Sequence, residues 1–284
     1  MKRIIVPIDF SVESIHGLEL AIVYANKFKS DVQMVHVITK NYDQAQKLKV
    51  ETEAVTEQLE GLVKKYRKDL SQTCNFSYII KNGRIYSNVV NQLEAFEDSM
   101  VICSTHGESG FSNLFMGSNA YRIIQATQRP VISITTSDFK TDVKTIVMPL
   151  DITKETREKV PLVAHIAKAF GAKVHIVKVT SSTNEGIHNK LRLYSRQVRQ
   201  YFDEQGVEWE RSLIVGDNIT DITIDYAVTV EADLIAIMTE QTNSLVNMLL
   251  GSFAQQMLHS SPIPVLSITP KGLNYIESFV TTGG

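Results

Sequence analysis

One segment of the N-terminal half has the residue types and the spacing of a phosphate-binding loop. Gly107 is followed after nine residues by Gly117 and Ser118, and the whole segment follows the apolar run from Val101 to Cys103. Glycine lets a backbone approach a ligand closely, and a serine adds a hydroxyl donor. A helix that begins near Gly117 would point its first N–H groups at a bound anion. This spacing predicts a phosphate site in the N-terminal half.

A second group of candidates ends the first apolar run of the chain. Ile4 to Ile8 is continuous in apolar residues, as expected of a strand covered on both faces, and Asp9 follows it directly. Ligands of parallel sheets bind beyond the carboxyl ends of the strands. We therefore expect Asp9 and the segment from Ser104 to Gly107 to converge. Asp9 or Ser11 could instead only cap the first helix.

The same order of residues occurs again in the C-terminal half. Arg3 to Asp9 and Thr145 to Asp151 are both apolar runs that end in Pro-x-Asp, and Gly251-Ser252 repeats Gly117-Ser118. Such a repeat predicts two copies of one structural unit. Each half has enough residues to bury a core of its own.

The second copy differs from the first between its strand and its Gly-Ser pair. Counted back from Gly251, the second copy has Met238, Glu240 and Gln241 where the first copy has Ser104, His106 and Gly107. A carboxylate at the place of His106 would repel phosphate. The second copy is therefore expected to bind a phosphate-bearing ligand weakly or not at all.

Apolar strands alternate with helical patterns along each half. In the second half, for example, the pattern predicts a strand over Thr145–Asp151 and one long helix over Lys154–Phe170. This alternation predicts an α/β fold made of two tandem, doubly wound, five-stranded parallel-sheet domains. The boundaries are expected at residues 1–138 and 143–272. The short linker predicts that the two domains pack as a pseudo-dimer.

Composition excludes several classes of function. The 284 residues are 43% hydrophobic and 21% charged, with a formal net charge of -2, so no global basic surface for nucleic acid is expected. No apolar run has the length of a membrane span, and two cysteines are too few for a disulfide framework or a cysteine zinc site. The histidines show no metal-ligand spacing. A cytoplasmic protein without a metal site is predicted.

These residues resemble the universal stress protein family, and the resemblance covers both halves. Nucleotide-binding members of that family have the pattern G-x2-G-x9-G-[ST] after the fourth strand. This chain keeps the spacing and two of the three glycines, with Ser104 at the first position. The resemblance implies the family's fold, which is similar to that of the adenine nucleotide alpha hydrolases.

The resemblance also implies a set of contact residues for ATP, with Mg²⁺ accompanying it, in the N-terminal domain alone. Asp9 would accept a hydrogen bond from a ribose hydroxyl or from the adenine amino group. The residues implied for adenine and ribose are Pro7, Ile8, Asp9 and Val37, those at the end of the fourth strand are Cys103 and Ser104, and those for the triphosphate are His106, Gly107, Gly117, Ser118 and Asn119. The degenerate second site would comprise Asp151, Val179, Gly251 and Ser252. Cys103 could equally be an inert core residue, and His106 a surface residue.

Three functions remain open from the sequence. The first is a stress-response protein that binds an adenine nucleotide and uses its occupancy as a sensor or switch, with the segment Glu108–Met116 as the moving part. The second is a nucleotide-free scaffold that acts through contacts with other proteins, and the third is a slow ATPase. No catalytic residue is identified, the protein partners are unknown, and a homodimer is compatible with the fold.

A predicted helix of the second half carries a stripe of basic side chains. Lys190, Arg192, Arg196 and Arg199 lie at helical spacing with few acids between them. The stripe could be a solvated helix face, or it could contact an acidic partner.

Overall fold

The computed structural model describes residues 1–39, 45–105, 118–135, 142–239 and 251–270. The chain divides into two compact units, Met1–Ser137 and Asp138–Gly284. Strands and helices alternate along the chain in each unit.

The first unit has five strands and four helices. The strands are β1 (Arg3–Pro7), β2 (Asp31–Ile38), β3 (Phe76–Asn82), β4 (Ser99–Ser104) and β5 (Val131–Ile134). The helices are α1 (Val12–Phe28), α2 (Ala45–Tyr66), α3 (Ile85–Glu94) and α4 (Ser118–Ala126). The order along its sheet is β3-β2-β1-β4-β5, and every pair is parallel.

The second unit repeats this plan. Its strands are β6 (Thr145–Leu150), β7 (Lys173–Thr180), β8 (Trp209–Val215), β9 (Leu234–Met238) and β10 (Val265–Ile268). Its helices are α5 (Val160–Phe170), α6 (Glu185–Gln205), α7 (Ile219–Thr229) and α8 (Ser252–Ser260). The order along the sheet is β8-β7-β6-β9-β10, again with parallel pairs. The predicted α/β class with two five-stranded units is confirmed.

The central strands carry the core of each unit because helices cover them on both faces. Ile4, Ile5 and Val6 of β1 are fully buried, and so are Ile146 and Val147 of β6. A strand buried on both faces must be apolar at successive positions, which explains the continuous runs in the sequence.

The strand order creates a switch point in each unit. From β1 the chain crosses to β2 on one side, whereas from β4 it crosses to β5 on the other side. The connections that leave the ends of β1 and β4 therefore diverge, and a crevice opens between them. The pairs β1–β4 and β6–β9 define the two crevices.

The long helix predicted over Lys154–Phe170 is wrong at its start. Glu155–Arg157 forms a single 3-10 turn, and α5 begins only at Val160, with a proline in its first turn. Pro161 has no N–H to donate and disfavours a helical conformation in the residue before it. A proline at this place is compatible with a helix only at the helix start.

Candidate functional site

A tight turn follows β1 and fixes the orientation of Asp9. The Asp9 carboxylate oxygen Oδ1 accepts hydrogen bonds from the Ser11 N–H at 3.0 Å and from the Ser11 hydroxyl at 2.5 Å. Ser11 is the N-cap of α1, and its Oγ accepts from the Ser14 N–H at 3.1 Å. Of the two predicted capping residues, Ser11 caps the helix, and Asp9 holds the capping residue.

Phe10 completes this turn in an unusual conformation. Its φ is 68°, in the left-handed region that a bulky side chain rarely adopts. The ring lies 4.9 Å from the ring of His36, centroid to centroid. His36 belongs to β2, and its Nδ1 is 2.8 Å from the Ile8 carbonyl oxygen. Strand β2 therefore holds the turn from one side.

The end of β4 forms the other wall of the crevice. The Thr105 N–H donates to the Ile134 carbonyl at 2.8 Å, which extends the β4–β5 pairing just past Ser104. Helix α1 packs on β4. A Cβ placed on Gly17 would lie 3.8 Å from the Ser104 backbone nitrogen and 3.9 Å from the Cys103 Cα. These are ordinary contact distances, so the helix and the strand end leave room for a Cβ at Gly17 but little for a longer side chain.

The structure brings part of the predicted site together. Pro7 ends β1, and Val37 lies buried near the end of β2, two positions beyond the residue paired with Pro7. Asp9 lies two residues after the end of β1, and Ser104 is the last residue of β4; these two strands flank the crevice. Ile8 is buried, and its N–H donates to the Val35 carbonyl at 2.9 Å.

The remaining predicted residues divide into three cases. Helix α4 begins at Ser118, with the partly buried Asn119 in its first turn. His106, Gly107 and Gly117 lie outside the described residues. The thiol of Cys103 is buried, and burial raises its pKa to about 12, so it is a neutral group of the core.

The second unit repeats the aspartate turn in detail. Asp151 Oδ1 accepts from the Thr153 N–H at 2.7 Å and from the Thr153 hydroxyl at 2.5 Å. The end of β9 is held in the same way as that of β4, because the Thr239 N–H donates to the Ile268 carbonyl at 2.8 Å. The other residues of the predicted degenerate site are the buried Val179 on β7, Gly251 as the N-cap of α8, and Ser252 as its first residue.

The two crevices differ in a residue that comes eight positions after the aspartate. The first unit has Gly17 there, and the second has Lys159. Lys159 is only 2% exposed, and its Nζ donates to the Thr156 carbonyl at 2.8 Å and to the Thr156 Oγ1 at 3.2 Å. Desolvation lowers the pKa of Lys159 to about 8, and the negative charge of Asp151 opposes this shift. The second crevice therefore has a buried amine beside it where the first has only backbone.

Sequence reasoning missed four contributors to these sites. Each of them follows or precedes a predicted motif without belonging to it; they are Phe10, Gly17, Thr105 and Lys159. Aligning the two halves on their aspartates places Lys159 opposite Gly17, and that contrast was the one available signal. The left-handed φ of Phe10 has no sequence signature.

The described residues contain neither a cluster of metal ligands nor a helix suited to a membrane. No group of three or more His, Cys, Asp or Glu side chains there has the geometry to hold a metal ion. Among the helices in that part of the chain, none combines the length and the apolar character that crossing a membrane requires.

The fold and the two crevices define a tandem α/β protein with one potential ligand crevice in each unit. The model of the universal stress protein family matches residues 1–134 and again residues 142–268. The chain therefore belongs to the universal stress protein family, as two consecutive domains. No curated protein is significantly similar to it in sequence.

Two solved structures that align with nearly all of this chain have the same fold. A universal stress protein from Archaeoglobus fulgidus DSM 4304 is 17% identical, with a TM-score of 0.78 over 94% of this chain and 98% of that one. A putative universal stress protein from Pseudomonas aeruginosa UCBPP-PA14 is 17% identical, with a TM-score of 0.68 over 98% and 96% of the two chains. A universal stress protein from Archaeoglobus fulgidus, solved in complex with dAMP, is 22% identical and aligns with 45% of this chain and 98% of its own length, with a TM-score of 0.37.

Proposed function

We propose that the N-terminal domain binds an adenine nucleotide, ATP with Mg²⁺, in the crevice between the ends of β1 and β4. Occupancy of that crevice would act as a switch in a cytoplasmic stress response. The observation that carries the proposal is the placement of the fixed Asp9 carboxylate and the end of β4 on the two strands that flank one crevice. Membership of the universal stress protein family supports the same function.

In this proposal the first strands hold the nucleoside. Pro7, Ile8 and Val37 would pack against adenine, and Asp9 would accept from a ribose hydroxyl or from the adenine amino group. Because Ser11 fixes Oδ1, the Asp9 carboxylate loses little rotational freedom when a ligand binds. Such preorganisation favours affinity without adding contacts.

The phosphates would lie at the start of α4. The first N–H groups of a helix have no partner within it and carry a partial positive charge, so they favour an anion. Gly117 precedes α4, and Ser118 and Asn119 begin it. The Gly107-x9-Gly117 spacing and His106 support the phosphate site at the level of sequence.

We propose that the C-terminal domain does not bind ATP. Its sequence has Gln241 and Met238 at two glycine positions and a carboxylate at Glu240, which disfavours phosphate. The buried Lys159 also stands at the position where the first unit has Gly17, which faces the end of β4. A nucleotide stoichiometry of one per chain follows from this asymmetry.

We further propose that the protein works by binding rather than by turnover, with other proteins as its partners and with a homodimer as a compatible state. His36 is engaged with the Ile8 carbonyl and the Phe10 ring, which is the behaviour of a positioning group. A ligand shifts a conformational equilibrium only by its different affinity for the two states. Protease cleavage within residues 108–116 should therefore slow when ATP is added, and equal cleavage with and without ATP would argue against the switch.

The test uses two aspartates that hold equivalent turns. Asp9→Ala and Asp151→Ala each remove an acceptor for an N–H and a hydroxyl two residues later. The hydrogen bonds lost from the two turns are therefore matched, although Asp151→Ala also removes the negative charge that acts on the buried Lys159. In calorimetric titrations of Mg²⁺–ATP into the full chain, wild type and Asp151→Ala should bind one equivalent, whereas Asp9→Ala should bind at least about tenfold more weakly because a charged hydrogen bond is lost.

A second pair addresses the phosphate end. Gly117→Asp should abolish binding by repulsion, whereas Gly251→Asp should leave it intact. Gly251 has a negative φ of -57° and is the N-cap of α8, a position that favours aspartate. Equal loss in both members of a pair, or binding of two equivalents, would contradict the assignment to the N-terminal domain. No binding at all would favour the nucleotide-free scaffold, and ADP release during titration would reveal a slow ATPase.

A further inference from the structure

The edge of the second unit leaves part of its sheet uncovered. Arg211, Leu213 and Val215 alternate along β8 and therefore point to one face of the sheet. Leu213 is 47% exposed and Val215 50% exposed, although both lie in a regular strand. Strand β8 stands at the end of the order in this unit. Two branched apolar side chains are thus presented in a row next to an arginine.

Helix α6 borders this face. Arg199 of α6 lies over the Trp209 ring at 5.3 Å, and the Trp209 Nε1 donates to Asp203 at 2.7 Å. Trp209 begins β8 and shares the face of Arg211, two positions further along the strand. The helix and the exposed row of β8 are therefore the two sides of one shallow surface, here called the β8 face: Lys178, Arg192, Arg199, Arg211, Leu213 and Val215.

The β8 face is positively charged. Lys178 of β7 pairs in register with Leu213. Partial burial lowers the pKa of Lys178, and the charges of Arg211, Arg192 and Arg199 lower it further. Lys178 is therefore close enough to three arginines, one on β8 and two on α6, for each to repel its charge.

Most of this charge has no compensation within the described parts of the chain. Lys178 and Arg211 make no hydrogen bond or ion pair with any described residue. Arg192 contacts Glu185 at 3.3 Å, but the two side chains are 59% and 82% exposed, so the pair contributes little. Arg199 donates to the Ser195 carbonyl at 3.3 Å, which leaves its charge in place. Mutual repulsion of this kind is relieved by an anionic partner.

The first unit has a different kind of side chain at the equivalent position of its sheet. Tyr78 of β3 pairs with Met34, and Arg211 of β8 pairs with Ile176, so Tyr78 and Arg211 occupy the same register. The Tyr78 hydroxyl donates to Glu60 of α2 at 3.3 Å. A neutral side chain bonded to the helix thus stands where the second unit has an unpaired cation. Because the two units share one fold, the cationic face is a specific feature of the second unit.

We infer that the β8 face is a docking surface for an acidic amphipathic helix of a partner protein. The apolar residues of such a helix would cover Leu213 and Val215, and its carboxylates would meet Lys178, Arg192 and Arg211. The exposed row from Arg211 to Val215 extends about 14 Å, close to the length of nine or ten helical residues. A helix laid beside α6 would complete the cover of the sheet, in the way that helices cover the central strands.

Charge decides between this occupant and a second copy of the chain. Two β8 faces brought together would place Arg211 and Lys178 of one copy near the same cations of the other, which is unfavourable. An acidic helix removes both the repulsion and the exposed apolar surface. The inference does not depend on nucleotide binding in the first unit.

Trp209 supplies the assay, because it is the only tryptophan of the chain and borders the β8 face. The probe is a synthetic helical peptide of about 18 residues, with leucines at i, i+3, i+4 and i+7 and glutamates between them. A second peptide has the same composition in scrambled order. Titration into the full-length protein at low salt should change Trp209 fluorescence saturably with the helical peptide, and the affinity should fall as salt is added.

Substitutions locate the binding. Arg211→Glu and Leu213→Ser should each weaken binding about tenfold or more. Lys64→Glu, at an exposed position of α2, makes the same change of net charge in the first unit and should leave binding unchanged. The urea unfolding of each variant, followed by Trp209, shows that the second unit is folded.

Three outcomes would overturn the inference. Equal binding of the scrambled peptide would reduce the face to a nonspecific cationic surface. Vesicles of anionic lipid that change Trp209 fluorescence while the helical peptide does not would assign the face to a membrane. No saturable response to the peptide, or an unchanged affinity in Arg211→Glu, would show that the face does not dock an acidic helix.

Discussion

Replacing Lys159 by methionine should stabilise the second unit at neutral pH. The Lys159 side chain is 2% exposed, and its pKa falls from 10.5 to about 8. The lowering of the pKa from 10.5 to about 8 corresponds to about 3 kcal/mol by which burial disfavours the charged amine. Losing the two hydrogen bonds to Thr156 costs about 2 kcal/mol. Methionine has a similar length and fills the space without charge, so the net gain is about 1 kcal/mol.

The stability gained by Lys159→Met should decrease as the pH rises. The folded-state pKa of Lys159, about 8, lies below the unfolded value of 10.5. Below pH 8 the amine is charged in both states, and the folded state bears the whole penalty. Between pH 8 and pH 10.5 the folded lysine releases its proton while the unfolded one keeps it, so wild type gains stability with rising pH. The advantage of methionine therefore shrinks over this range and is absent above it.

Trp209 makes the measurement specific to the second unit. Urea unfolding of the full chain is followed by Trp209 fluorescence at pH 7 and pH 9.5 for wild type and Lys159→Met. Lys168→Met is the control, since Lys168 is an exposed lysine of α5 whose amine donates a hydrogen bond to Gln205 at 3.4 Å and to no other described residue. It should change stability by less than about 0.5 kcal/mol at either pH. A methionine variant less stable than wild type at pH 7, or a difference that does not change with pH, would refute the reasoning.

Three further predictions concern the first unit, whose unfolding is followed by circular dichroism with the Trp209 transition as an unchanged reference. Gly17→Ala should stabilise by about 0.5–1 kcal/mol, because the added Cβ meets ordinary contact distances and alanine favours the helix; Gly17→Leu should destabilise, because its longer side chain meets the end of β4. Phe10→Gly should be more stable than Phe10→Ala by about 1 kcal/mol, because only glycine adopts the φ of 68° without cost; equal stabilities would count against that conformation. Cys103 should resist Ellman's reagent at pH 8 in the native protein and react after unfolding, since its pKa is about 12; rapid native labelling of Cys103 would contradict its burial.

Much of the fold could be predicted because parallel strands buried on both faces are apolar without interruption. The runs from Ile4 to Ile8 and from Thr145 to Asp151 indicated two central strands, which the structure has at Arg3–Pro7 and Thr145–Leu150. The start of α5 was mispredicted because residues 154–159 contain no apolar side chain, so the apolar spacing gives no signal there for where the helix begins. Pro161 indicated that the helix begins close to it, but a prediction from apolar spacing does not take a proline into account.

The candidate site was less predictable than the fold. The aspartates Asp9 and Asp151 follow strands, so their place could be foreseen, and their hydrogen bonds to the next hydroxyl residue are local. Gly17 and Lys159 matter through their approach to strands far along the chain, which no local pattern reveals. The roles assigned to His106, Gly107 and Gly117 stay predictions, because these residues lie outside the described part of the chain.

The aspartate turn is present in both halves, although only one half keeps the glycine spacing. A turn held by its own carboxylate does not need a ligand to form, so each strand end remains correctly built when the crevice is empty. The residues around the second crevice can therefore differ from those of the first without loss of the turn, which two hydrogen bonds within three residues hold in place. The turn is part of the scaffold that both halves share, whatever each crevice binds.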